Sequence, residues 1–350
     1  MCERYNGAMK ITRKAICAAI LPALALSLAP ALRADVTLRY ETEFKPAAAL
    51  QPMLEQFTKT MQAGAGTSTS IRMKGSQGYT TAGNWIEIFD FTKGDVTLVD
   101  PASKTFAVLP LAQLMDKMAG AIPQPGAQAM QGVQQILESM KSTVDSKVTG
   151  KTEEIKGVQA EEREVTLNID IPLPPGMVKQ MGPHVNMKIV MHIWTAKKEE
   201  ALRVQAIREL TGYQAWQKYI VNPAGMFEKL AGRMPGLSNA IGPFVEELSK
   251  NQSVMLRTRT EIYMPFLAEL AKQAAADGQQ FPALDPDAPL LDMNQEVVEL
   301  STAQVDASLF EVPKGYTAAT VEDMVAEMVK AQSVAAAAAK ADGPKADAPK

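Results

Sequence analysis

Apolar and polar positions alternate with a period of two along much of the chain. From Val36 to Phe44, Val36, Leu38, Tyr40, Thr42 and Phe44 fall on one side and Thr37, Arg39, Glu41 and Glu43 on the other, which predicts a half-buried strand. After Pro46 the spacing changes to three and four: Leu50, Met53, Leu54, Phe57 and Met61 form an amphipathic helix that Gly64-Ala65-Gly66 ends. Short strands follow around Ile71–Lys74, Trp85–Phe91, Asp95–Val99 and Thr105–Leu109. The punctuation between them, Gly75, Gly78, Gly83, Lys93-Gly94 and Asp100-Pro101, is that of hairpin turns, so this stretch reads as an antiparallel meander.

Residues Leu111 to Met140 return to helical spacing and break at Pro123-Gln124-Pro125-Gly126. Long alternating strands are predicted over Val148–Ile155, Ala160–Ile171 and Val185–Trp194, and a further strand over Ala201–Leu210. Tyr213–Lys250 reads as helical pieces divided by Pro223, Pro235-Gly236 and Gly242-Pro243. Ser253–Met264 is then a strand, Pro265–Ala276 a helix and Gln295–Leu300 a last strand before the turn at Pro313-Lys314-Gly315. Thr320 caps a C-terminal helix over 319–340, and 341–350 has nothing to bury and is expected to be disordered. Hairpin turns and helical insertions, in place of regular strand–helix alternation, indicate an α+β fold on an antiparallel sheet.

The first 34 residues carry a different pattern. Lys10, Arg13 and Lys14 precede an apolar run from Ala15 to Ala29, and small residues follow, which predicts a signal peptide starting at Met9 and cleaved after Ala34. The run is short and contains Pro22, so no stable transmembrane segment is expected after cleavage. Both cysteines, Cys2 and Cys17, lie in this leader, and the exported chain would hold no thiol. Across 350 residues, 36 Lys and Arg against 39 Asp and Glu leave a formal charge of -3, with no basic excess to follow a phosphate backbone; nucleic acid is not an expected partner.

Several segments together resemble LolA-like exported proteins. They are the hairpin from Trp85 through Lys93-Gly94 and Asp100-Pro101 to Lys104-Thr105-Phe106, the turn Ile155-Lys156-Gly157-Val158-Gln159-Ala160, the strand His192-Ile193-Trp194-Thr195, and the closing segment from Asp306 to Tyr316. The resemblance spans most of 35–318. It implies a strongly curved, incompletely closed antiparallel sheet, a half-barrel, with helices covering the concave face. In the lipoprotein carriers of that group the covered space receives acyl chains in the periplasm. This chain is longer, with helical insertions at 111–140 and 213–250, and no functional residue carries over.

The residues themselves offer little catalytic chemistry. His184 and His192 stand eight apart without a metal-ligand pattern and read as solvated; no metal or cofactor is expected. The acids Glu161, Glu162 and Glu164 read as a solvated strand edge, with a carboxylate enzyme as the minor alternative. Trp85, Phe89 and Phe91 share one strand side and Ile86 and Ile88 the other, so this strand should be covered on both sides. Methionine is abundant, at 20 residues, and unbranched Met on helices and strands can repack around varied ligands. Trp85, Phe89, Phe91, Met115, Met118, Met187, Met191, Met226 and Met234 are therefore the candidate ligand-binding residues. The expectation is a non-enzymatic exported protein, periplasmic or extracellular, that shelters an apolar ligand such as lipid or lipoprotein acyl chains. Its lids would open at the Pro-Gly hinges. The alternative is an envelope structural or interaction protein with a fully packed interior. Ligand identity, protein partner and oligomeric state stay open.

Overall fold

The computed structural model describes residues 35–51, 67–82, 85–121, 139–173, 184–220, 237–250, 253–276 and 283–327. The predicted leader, the helix after Pro46 beyond Gln51, the Pro123–Gly126 and Pro235-Gly236 hinges and the C-terminal stretch after Glu327 lie outside these residues. Twelve strands hydrogen-bond into one sheet: β1 (Val36–Pro46), β2 (Ser68–Lys74), β3 (Gln77–Ala82), β4 (Trp85–Asp90), β5 (Asp95–Asp100), β6 (Thr105–Pro110), β7 (Lys141–Ile155), β8 (Val158–Pro172), β9 (His184–Ala196), β10 (Met255–Tyr263), β11 (Leu291–Ser301) and β12 (Thr317–Ala318). The helices are α1 (Leu111–Ala121), α2 (Glu200–Arg203), α3 (Gln205–Ile220), α4 (Leu237–Ser249) and α5 (Pro265–Ala276), and residues 321–327 are also helical.

In space the strands run β12-β6-β5-β4-β3-β2-β1-β11-β10-β9-β8-β7. Two up-and-down meanders, β2–β6 and β7–β11, thus meet at β1, which pairs antiparallel with both β2 and β11. All pairings are antiparallel except β12 on β6, and the outermost strands do not join, so the sheet is not closed into a barrel. Turn chemistry fixes the register. Lys156 and Gly157 both take positive φ, 51° and 75°, the conformation that a two-residue hairpin between β7 and β8 requires. The Asp90 and Asp100 carboxylates accept backbone N–H groups of Thr92 and Lys93, and of Ala102, closing the β4–β5 and β5–β6 turns.

Register places Val36, Leu38 and Tyr40 of β1, Met73 of β2, Gly78 of β3, Phe89 of β4, and Val96 and Leu98 of β5 on one side of the sheet. This is the helix side. Leu111 and Leu114 of α1 and Val321, Met324 and Val325 pack there on Phe89, Val96, Leu98, Ala107 and Leu109. Ala206, Ile207, Leu210 and Tyr213 of α3 pack there on β1 and Met73. On the other side of the same short strands, Val305 and Phe310 of the closing segment bury Tyr79, Ile88 and Val99. The predicted double cover of β4 is therefore present.

Two expectations need correction. Ala201–Leu210 is not a strand but belongs to α2 and α3; the buried positions Ala206, Ile207, Leu210 and Tyr213 recur at helical spacing. And a strand was missed: Gln77–Ala82 forms β3, because Gly78 is a strand residue and not a turn. A Cβ at Gly78 would meet the Phe91 ring at 3.0 Å and the Tyr213 hydroxyl at 3.3 Å, so the glycine marks a close approach of strand and aromatic side chains. Residues 321–327 open on Thr320, whose Oγ1 accepts the Asp323 N–H at 3.1 Å.

Candidate functional site on the helix side of the sheet

Alternation in β4 sends Trp85, Glu87 and Phe89 to the helix side, and Phe91 follows just past the strand end. Phe89 and Phe91 stack with centroids 5.9 Å apart, and Phe91 meets Tyr213 of α3 at 5.2 Å. The three expected aromatic residues are thus brought together, Phe89 buried and Trp85 and Phe91 half-buried. They join two clusters of the core, because Phe91 packs against both.

On the long-strand half the same side is also apolar. Register lines up Val165, Leu167 and Ile169 of β8, Met187, Ile189, Met191 and Ile193 of β9, Thr258, Thr260 and Ile262 of β10, and Met293 and Leu291 of β11. α4 lies over the β7–β8 end, where Glu247 takes an ion pair from Arg163 at 3.1 Å. Met187, Ile189, Met191, Ile262 and Met293 are only half-buried by the described residues. Met187 and Met191, two of the expected ligand residues, belong to this row. The side chains of Met115 and Met118 on α1, and all of Met226 and Met234, lie outside the described residues.

Among the polar groups that interrupt this side, two stand out. Glu87 sits between Trp85 and Phe89, across from Leu98 on β5 and Thr80 on β3, and burial raises its carboxyl above the ordinary glutamate range. The Thr260 Oγ1 is buried between Met191 and Met293 with no hydrogen-bond partner among the described residues. Neither residue stood out in the sequence; a Glu inside Trp-Ile-Glu-Ile-Phe was the available signal, since it shares its side with the aromatics and not with solvent.

Clefts open at the described surface, three of them well defined. One of about 390 Å³ lies at the strand ends between Lys141, Asn168, Met187, Lys188, Tyr263 and Asp287. A second, of about 250 Å³, is lined largely by alanines of 47–49, 268, 283 and 288 with Met264 and Leu290. The third, about 370 Å³, is a charged groove among Lys45, Arg257, Arg259, Asp292 and Glu296. Of the expected ligand residues, Met187 lines the first.

The opposite side of the long strands is a lattice of charge. Arg257 bridges Glu153 and Glu296 at 2.7 and 2.8 Å, and Arg259 bridges Glu261 and Asp292 at 2.7 and 2.9 Å. Here two further expectations are corrected. His192 is not a solvated strand residue: its Nδ1 lies 2.9 Å from Glu162 and 3.9 Å from Glu164, and its Nε2 lies 3.8 Å from Glu261. Glu162 is not on an edge, because β8 lies between β7 and β9, and its side chain is 3% exposed. Burial works to raise the Glu162 carboxyl, but the Thr149 hydroxyl at 2.6 Å, the Lys151 ammonium at 3.0 Å and His192 together hold it below the ordinary range. No group of three or more metal-ligating side chains forms among the described residues, and none of their helices is long and apolar enough to cross a membrane.

No family model matches the chain, and no curated protein matches its sequence. Among solved structures, the crystal structure of the Mycobacterium tuberculosis lipoprotein LppX is similar at 9% identity, over 84% of this chain and 99% of that one, with a TM-score of 0.22. A superposition that loose carries no argument about function, which therefore rests on the sheet and its side chains.

Proposed function

We propose that this chain is an exported, non-enzymatic binding protein that shelters an apolar ligand, such as lipid or lipoprotein acyl chains, on the helix side of an open, curved half-barrel. The carrying observation is the row Met187, Ile189, Met191, Ile262 and Met293, large apolar side chains in register on neighbouring strands and left half-buried. Partly exposed apolar rows of this kind are uncommon on soluble proteins unless something covers them. Covering them with hydrocarbon is worth about 25 cal/mol per Å² buried. The aromatic group Trp85, Phe89 and Phe91 lies further along the same side, beyond β1, β2 and β3. The 1–34 leader takes the protein out of the cytoplasm, and the 35–318 body binds, with 319–340 as a terminal helix and 341–350 as a tail.

A second reading has its own observation. Phe89, Val96 and Leu98 are already sealed by α1 and residues 321–327, as in a protein with a fully packed interior that works through a protein partner. Native mass spectrometry separates the two. The full chain is exported from a bacterium with its own leader and purified without detergent. An adduct of lipid mass that disappears on delipidation supports the shelter. A bare mass, together with failure to take up an added lipid, supports the packed interior.

A further inference from the structure

The cleft of about 390 Å³ is floored by the charged side of the long strands. Register builds that floor: Lys141 of β7 stands against Asp170 of β8, and Asp170 against Asn186 of β9, while Thr143, Asn168, Lys188 and Tyr263 form the next row across β7 to β10. Residues paired in this way share a side, here the one that also carries His192 and Glu261. Asp287, from the turn before β11, lines the cleft as well. Other cations on this side are neutralised at close range: Lys147 by Glu164, Lys151 by Glu162, Arg257 by Glu153 and Glu296, and Arg259 by Glu261 and Asp292. Lys141 and Lys188 are not. Both are exposed, and neither forms an ion pair among the described residues, although Asp170 and Asp287 line the same cleft. Asp170 is engaged by His184 at 3.0 Å. The Lys188 ammonium rests over the Tyr263 ring, 4.2 Å from its centroid, a contact that holds a cation without neutralising it.

We propose that this cleft binds a phosphate monoester, with Lys141 and Lys188 holding its charge and the Asn168 and Asn186 amides and the Thr143 hydroxyl donating to its oxygens. Two unpaired ammonium groups suit a ligand with close to two negative charges, which a phosphate monoester carries at neutral pH and a carboxylate does not. Lysine binds phosphate as a point charge on a flexible stem, so two lysines from strands on either side of β8 can close on one group without a fixed fork. Asp287 repels the anion and limits its affinity. The site uses the charged side of the sheet and not the apolar row, so it stands or falls apart from the lipid-sheltering reading.

The test is isothermal calorimetry of the full exported chain with glycerol phosphate at low salt, with glycerol as the neutral control. The wild type should bind the ester and not glycerol. Lys141→Gln and Lys188→Gln should each weaken binding by about tenfold, the order of a lost charge-assisted hydrogen bond. Lys147→Gln, which removes a cation already paired with Glu164, should leave it unchanged, and Asp287→Asn should tighten it. All four side chains are exposed, and thermal midpoints equal to that of the wild type confirm that the variants fold. Flotation with phosphatidylcholine vesicles containing phosphatidic acid separates the two sources of such a group. Flotation that depends on both lysines assigns a lipid headgroup, and calorimetric binding without flotation assigns a soluble ester. A wild type that shows neither overturns the site, as does binding that survives both lysine substitutions or that Asp287→Asn weakens.

Discussion

The two meanders of one sheet solve the problem of their second side differently. In β4–β6 the strands are six residues long and largely apolar on both sides, and each side is covered, by α1 and residues 321–327 on one and by the closing segment on most of the other, where Val108 of β6 stays 58% exposed. In β8–β11 the strands run from 9 to 15 residues; one side is apolar and only partly covered, and the other is held by crossing ion pairs. Burial makes the first half a core, whereas the second is a surface with an apolar lining. On the proposed reading the ligand site belongs where apolar side chains are aligned but not sealed, over the long strands.

The largest expected effect comes from truncating each half at its centre. Leu98 is 1% exposed with helix and strand atoms around it, and Leu98→Ala should cost about 3–4 kcal/mol of unfolding free energy. Met191 is half-buried, and Met191→Ala should cost about 1–2 kcal/mol, since less of its side chain leaves contact. Urea unfolding of both variants measures the difference. Equal losses would mean that the long-strand half is as tightly packed as the short one, and the ligand wall would lose its physical basis.

Two glutamates, Glu162 buried and Glu87 half-buried, sharpen the contrast through pH. Glu162, on the charged side, has its carboxyl held low, so the stability it contributes is present above the unfolded glutamate value of about 4.3 and is lost as pH falls through its lower folded value. Glu87, on the helix side, has its carboxyl raised, so the fold is penalised as pH climbs above about 4.3 towards its higher folded value. Glu162→Gln should therefore destabilise at pH 7 by about 2 kcal/mol, the order of a lost charge-assisted hydrogen bond, with the deficit shrinking by pH 3. Glu87→Gln should be more stable than wild type at pH 7 and indistinguishable at pH 3. Denaturant midpoints at the two pH values check both signs. Shifts of the same sign would place the two carboxyls in like surroundings.

Thr260 offers a smaller test on the long-strand half. Its Oγ1 is buried without a partner between Met191 and Met293, so Thr260→Val, which keeps the shape, should raise stability by about 1 kcal/mol. A loss instead would show that the hydroxyl is satisfied in solution, by water or by a bound molecule.

How much of this the sequence showed follows the same division. Period-two alternation located β1, β8 and β9 because one of their sides is apolar along most of the length, and Lys156-Gly157 fixed the β7–β8 hairpin. The first half of β7 was missed because Lys141–Lys147 is an edge with one side polar and the other barely apolar, which blunts pairing and also erases the pattern. β3 was missed because Gly78 reads as a turn until Phe91 and Tyr213 are seen to need its missing side chain. The strand expected at Ala201–Leu210 failed because Ala206-Ile207, Leu210 and Tyr213 fit a helix better than an alternation. Aromatic clustering at Trp85, Phe89 and Phe91 was legible from one strand alone. The partners of His192 and Glu162 were not, since they come from β7, β8, β9 and β10 and meet only through register.

The smallest effect concerns the cover of the short strands. Lys117 of α1 and Glu322 form an ion pair at 2.7 Å across the two helices that seal Phe89 and Leu98, and both side chains are about half exposed. An exposed pair is screened by solvent and salt and has to order two long side chains, so it holds little. Lys117→Ala and Glu322→Gln should each leave the thermal midpoint within measurement error, singly and together, at low and at high salt. The apolar contacts of Leu111, Leu114, Val321 and Met324 then account for the seal by themselves. A salt-sensitive drop shared by both single variants would mean that the cover is latched electrostatically, and the short-strand half would join the long one as a place that can open.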